Sequence, residues 1–324
     1  MLLENKVAVI YGAGGPIGGA AARAFAREGA RVFLAGRTLA KLDTVANEIR
    51  STGGSASTIV VDALDEQAVN SCVDAVVEQA GSIDISFNLI SYGDVQQPLT
   101  MISVEDFLQP ITNAMRTHFL TTRAATRHMI RRGSGVILAF GGSGPHTLAG
   151  LGGFKIALDA LEGLRRQWAC ELGPHGIRVV TIKTGGVPES IDESVAMRDE
   201  VTAAIEQASL LKRAAQLSDV GNVAAFVASD QARTMTASSQ HLLRRAHGLL
   251  SHKRDDPHQD LEEEAGCDPA SSAAFSALHH QAISGKAAMR WIDVSEMPDS
   301  RATWAIDLFS TFTSNPLHKH SHLV

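Results

Sequence analysis

Short, continuously apolar runs alternate along the chain with segments whose apolar residues recur every three or four positions. The runs at 6–11, 31–35, 57–61, 83–88, 135–140 and 177–182 predict six strands. The segments at 17–28, 39–50, 66–79, 104–131, 154–172 and 218–229 predict helices, with a break expected near Pro110. In the fifth of these, Leu158, Leu161, Leu164, Trp168 and Leu172 form one apolar stripe. The stretch from 183 to about 212 is looser. Strands that are apolar throughout, rather than alternately, belong to a sheet buried on both faces. Regular strand–helix alternation then predicts an α/β fold, a doubly wound parallel sheet with helices on either side.

The pattern changes near Ser238. Of the 13 histidines, nine lie from His241 onward, and residues 251–266 are densely charged. The chain therefore reads as a domain over 1–237 followed by an irregular or disordered tail over 238–324. Basic residues stand there where a last buried strand is due. Residues 240–249, "QHLLRRAHGL", can be encoded so that a one-base shift reads "NISCGALMD", an apolar strand with a glycine turn. An out-of-frame tail is thus one expectation, which the coding DNA would test. The histidines of "HKHSH", His318 to His322, offer a metal-binding alternative. Without carboxylate or cysteine partners, no metal site is assigned.

Composition narrows the function classes. The net charge of −6 argues against nucleic acid as a partner, because a basic surface is needed to displace counterions. The three cysteines, Cys72, Cys170 and Cys267, make neither a disulfide framework nor a zinc pattern. No apolar run approaches the ~20 residues of a membrane span. No leader pattern precedes the first strand, so a cytoplasmic protein with a small-molecule partner is expected.

The first strand runs into "YGAGGPIGGA". Gly12, Gly14, Gly15, Ile17 and Gly18 thus lie between a strand and a helix. Glycine permits a tight turn and close approach of backbone N–H groups to a pyrophosphate, and the helix N-terminus adds partial positive charge. This Rossmann-like start predicts a dinucleotide site. A carboxylate ending the second strand would hold a ribose 2′-hydroxyl. Gly36 and Arg37 stand there instead, and no acid follows until Asp43. Arginine suits a 2′-phosphate, which favours NADP(H) over NAD(H); a solvated surface arginine is the alternative. Asp62, after the third strand, is a candidate for the adenine amino group or for a helix N-cap. Pro16 fits the first helical turn but removes a phosphate donor, so weakened cofactor binding is expected.

In this order the motifs resemble those of the short-chain dehydrogenase/reductase family over roughly residues 5–237. The family's TGxxxGIG loop appears as "YGAGGPIG". Its NNAG motif becomes "NLIS", keeping Asn88. Its PG turn becomes Thr184–Gly185. The resemblance implies hydride transfer between a nicotinamide and a small carbonyl, hydroxyl or activated double-bond substrate. It implies Asn88 and Gly185 at the cofactor, Lys155 on its ribose, and a homo-oligomer. The family's YxxxK pair maps onto "LGGFK", which leaves Leu151 where the tyrosine stands. The catalytic serine falls on Gly142, beside Ser143. The helix asparagine falls near Asn113, although "HFLTT" sets the register at Ala114. With the tyrosine replaced, Ser143, His146 and Tyr92 are the candidates for polarising or protonating the substrate, and a plain loop or packing role is the alternative for each. A nucleotide-binding protein without turnover is the rival function.

Overall fold

The computed structural model describes residues 1–141, 147, 149–192 and 198–242. Seven parallel strands form one sheet in the order β3-β2-β1-β4-β5-β6-β7. They are β1 Val7–Tyr11, β2 Arg31–Gly36, β3 Ser55–Val60, β4 Ile85–Asn88, β5 Gly135–Gly141, β6 Ile177–Thr184 and β7 Ser238–Leu242. The helices are α1 Pro16–Arg27, α2 Leu39–Ser51, α3 Glu66–Ala80, α4 Val104–Arg132, α5 Gly152–Leu172, α6 Arg198–Ala208 and α7 Leu217–Ala228. The strand order reverses beside β1, so the helices that follow β1 and β4 lie on opposite faces of the sheet and leave a crevice at the strands' C-terminal ends.

Alternation along each strand divides the core. Ala8 and Ile10 of β1 pack with Phe25 of α1, Val45 of α2 and Ala224 of α7. Val7, Val9 and Tyr11 face the other way, against Val73 of α3, Ala124 of α4 and Ala169 of α5. Both faces are covered, which is why the central strands are apolar nearly throughout. The apolar stripe of α5 is absorbed by this packing. Leu158, Leu161 and Leu172 are buried, and Leu164 and Trp168 lie against the same clusters.

Three features differ from the expectation. First, α4 runs unbroken for 29 residues through Pro110. Ser103 caps its start by accepting the Asp106 N–H, and Gly133 closes it in the left-handed conformation. The proline ring is buried near Gly153 of α5, so interhelical packing outweighs the one lost hydrogen bond. Second, the looser stretch contains α6, which buries none of its side chains and so left no apolar stripe to read.

Third, a seventh strand is present where none was expected. β7 pairs in parallel with β6 from Val180↔Ser238 to Thr184↔Leu242. Backbone pairing and buried charge hold it, with Leu242 at its end packed against the apolar core. The Glu162 carboxylate accepts hydrogen bonds from Lys183 of β6 at 2.7 Å, Ser239 of β7 at 2.9 Å and Arg165 at 3.0 Å. Arg165 also donates to the Ala237 carbonyl. Burial pushes the Glu162 carboxyl up, but these donors outweigh it and hold it below the usual carboxylate range. The tail from 243 onward, with the frame-shift and histidine readings that concern it, lies outside the described residues.

Candidate nucleotide site and the pocket floor behind it

The loop from β1 to α1 is shaped by its glycines. Gly12 sits at φ +76°, and a Cβ there would lie 2.5 Å from the Leu89 carbonyl oxygen. A Cβ on Gly18 would lie 2.2 Å from the Gly12 oxygen. The loop therefore hugs both the β4 end and the first turn of α1, as only glycine allows. Gly12 and Ala13 donate to the Ala35 carbonyl, Gly15 to that of Gly12, and Gly19 to that of Gly15. Among the described residues, the N–H groups of Gly14, Ile17 and Gly18 donate to nothing. Gly15 caps α1 without a side-chain bond, and no acid lies in the first turn. This is a cradle of unused donors at a helix N-terminus, and it fits a pyrophosphate. Pro16, at the first helical position, contributes no donor.

Arg37 follows β2 directly and is exposed, with no acid partner among the described residues. The next acid, Asp43, accepts a bond from Thr58 of β3 at 3.2 Å, so it is turned away from the loop. Lys41 belongs to the same rim: its Cβ would lie 2.9 Å from a Cβ on Gly14. The sequence signal for it was its place four residues after Arg37, in the first turn of α2. Asp62 accepts from the Leu64 N–H at 3.0 Å. The N-cap of α3 is Asp65, which accepts the Ala68 N–H at 3.0 Å. Asp62 thus braces a turn at the crevice edge and leaves its second carboxylate oxygen uncommitted in that turn.

Asn88 is buried at the β4 end. Its Nδ2 donates to Thr121 of α4 at 3.2 Å, and its Oδ1 accepts the Ile90 N–H at 3.1 Å. It therefore fixes the loop lining the crevice. Gly185 lies just past β6, in a turn where the Gly186 N–H donates to Thr184 Oγ1 at 3.1 Å. Leu151 is the N-cap of α5, one turn before Lys155, and has no side-chain group to cap with. Lys155 is paired with Asp159 one turn further on. Ser143 and His146 lie outside the described residues.

Behind these elements sits a second cluster, which the sequence did not assemble. Tyr92, on the loop after β4, is 7% exposed. Its hydroxyl lies 3.4 Å from His118 Nε2 on α4 and 3.4 Å from the Phe140 carbonyl on β5. Its ring packs on Phe154, which precedes Lys155. Asn113 turns toward the same loop, donating to the Tyr92 carbonyl at 2.9 Å. Burial raises the Tyr92 pKa well above its ordinary value and lowers that of His118 to about 4.

The comparisons agree with this geometry. The sequence profile of enoyl-(acyl carrier protein) reductases matches residues 12–242. An uncharacterized oxidoreductase of Mycobacterium tuberculosis is 32% identical over 73% of this chain and 90% of its own. The short-chain reductase protein NovJ of Streptomyces niveus is 31% identical over 74% of this chain and 93% of its own. A solved dehydrogenase/reductase from Sinorhizobium meliloti superposes with a TM-score of 0.66 at 27% identity, over 74% of this chain and 94% of that one. The chain belongs to the short-chain dehydrogenase/reductase family. Membership of this family implies a nicotinamide dinucleotide and a small-molecule substrate. Among the described residues no helix is long and apolar enough to cross a membrane, and no cluster of His, Cys, Asp or Glu is arranged for a metal ion.

Proposed function

We propose that this chain binds NADP(H) and transfers a hydride to or from a small carbonyl, hydroxyl or activated double-bond substrate. The observation that carries the reading is the unused donor set of Gly14, Ile17 and Gly18 with Arg37 exposed on the same rim. Arg37 and Lys41 would meet a 2′-phosphate, and the engagement of Asp43 with Thr58 removes the nearest rival for a 2′-hydroxyl. Gly12 shapes the loop, Gly15 opens the helix, Asp62 meets the adenine, and Asn88 and Gly185 line the nicotinamide end. A bound nicotinamide supplies or accepts the hydride. Lys155 releases Asp159 to hold the ribose, and Ser143 polarises the substrate oxygen.

On our alignment Leu151 takes the place of the family's tyrosine, so the proton comes from another group. His146, after β5, and Tyr92, after β4, are the candidates. Exposed Val104, Leu108 and Phe119 of α4, with Ile156 of α5, provide an apolar face for a second copy of the chain.

The rival is a nucleotide-binding protein without turnover. It is favoured by one observation: Lys155 is committed to Asp159, and an apolar residue stands one turn before it. NADPH and NADH fluorescence titrations, followed by a panel of carbonyl and enoyl substrates, separate the two. NADPH binding, weakened by Pro16 but stronger than that of NADH, with turnover is expected. Binding without oxidation on any substrate would favour the rival, and no binding of either nucleotide would refute both.

A further inference from the structure

We propose that Tyr92, reaching the substrate from the β4 side rather than from α5, is the residue that protonates it. This rests on the oxidoreductase reading above. A phenol serves this reaction only if it stands at the C-terminal ends of the central strands and is not locked into other bonds. The chain has two tyrosines. Tyr11 is fully buried, its hydroxyl has no partner, and its ring belongs to the core between β1, α3 and α4. Tyr92 stands past the end of β4, and its hydroxyl reaches the Phe140 carbonyl near the end of β5. Its ring touches Phe154, the neighbour of Lys155. Elements that build the crevice thus converge on one phenol.

The hydroxyl is held loosely. Both of its neighbours are at 3.4 Å, beyond the 2.5–3.0 Å of a firm O–H bond. Meanwhile the backbone of Tyr92 is fixed by Asn113. The ring is therefore positioned while the proton is held only by the long bond to the Phe140 carbonyl. With the His118 proton on Nε2, the imidazole donates to the phenol oxygen, and the O–H need give up only its long bond to Phe140 to reach another acceptor. His118 is a positioning residue here, because its own burial keeps it neutral.

The step balances as follows. As hydride reaches the carbonyl carbon, the C=O π pair moves onto oxygen. The Tyr92 O–H bond breaks and its proton goes to that oxygen. The resulting phenolate keeps the His118 N–H as donor and regains a proton from water. Burial makes the phenol a weaker acid than in water, yet a simple alkoxide is more basic still, so transfer remains downhill.

The test starts from the full chain and a ketone that it reduces. Tyr92→Phe should keep NADPH affinity within about twofold and lower kcat about 10²- to 10⁴-fold, the range for loss of one general acid. The loss should shrink at least tenfold on the matching trifluoromethyl ketone, whose alkoxide needs less protonation. A second readout needs no turnover. With ¹³Cζ-labelled tyrosine the protein gives two resonances, and Tyr92→Phe assigns them. In the dead-end complex with NADP⁺ and ketone, the Tyr92 resonance should shift and that of Tyr11 should not. An unchanged kcat in Tyr92→Phe, an equal loss on both ketones or an unshifted Tyr92 resonance would overturn the assignment. A chain that binds NADPH but reduces no ketone also overturns it, while leaving cofactor binding intact.

Discussion

Acid should loosen this fold through one buried imidazole. His118 is 2% exposed in the interior of α4, and burial lowers its pKa to about 4. In the unfolded chain a histidine titrates near 6.5, so between these values the unfolded state binds a proton that the folded state does not. Stability therefore rises with pH across that window. The contribution is fully present above about pH 6.5 and is lost as pH falls toward 4. At about 1.36 kcal/mol per pKa unit, the loss approaches roughly 3 kcal/mol. That is a large part of a domain stability of about 5–15 kcal/mol. Urea melts at pH 7.5, 6.5, 5.5 and 4.5 measure it, with His118→Gln as the control that cannot titrate. Wild type should lose stability faster than the variant below pH 6.5, and the two slopes should coincide above it. Parallel slopes throughout would refute a neutral buried His118, and with it the hydrogen-bond role given to that ring.

Other expectations follow from the same contacts. Glu162→Ala leaves Lys183 and Arg165 buried without their carboxylate and should cost about 3–5 kcal/mol in urea melts. Glu162→Met with Lys183→Met should recover part of that, and hydrogen exchange should show β7 opening first in the single variant. Gly18→Ala puts a Cβ 2.2 Å from the Gly12 oxygen, so the loop must open. The expected cost is about 1–3 kcal/mol of stability together with a marked loss of nucleotide affinity by fluorescence titration. Arg37→Ala should weaken NADPH binding about tenfold to hundredfold, the worth of a charged hydrogen bond, and leave NADH unchanged. An equal effect on both nucleotides would sink the 2′-phosphate assignment.

The parts of this protein that were legible in its sequence are those whose cause is local. The glycine loop could be read because the tight turn, the close approach and the helix start are requirements of neighbouring residues. Six strands could be read because burial on both faces leaves a run of apolar side chains. β7 could not, since its stability does not lie in its own composition. Ser238, Ser239 and Gln240 are polar, and the strand is held by pairing with β6 and by a carboxylate 77 residues away from Ser239. Pro110 misled for the converse reason. The local rule says break, whereas the surroundings of α4 keep the helix whole.

The same distinction separates the two halves of the candidate site. Arg37 follows its strand directly and is visible in one glance at the sequence. Tyr92 and His118 are 26 residues apart, on a loop and a helix, and Phe140 is 48 from Tyr92. No spacing rule joins them. Only the sheet order, which sets β4 beside β5 under α4 and α5, brings a phenol, an imidazole and a carbonyl together. Leu151 then changes what that meeting means. Behind a tyrosine at the start of α5, Tyr92 would be a packed side chain with an idle hydroxyl. Behind a leucine, as we align it, Tyr92 is a buried phenol backed by an imidazole that can donate to its oxygen. On the alignment we propose, a missing acid on one element would give chemical significance to a residue on another.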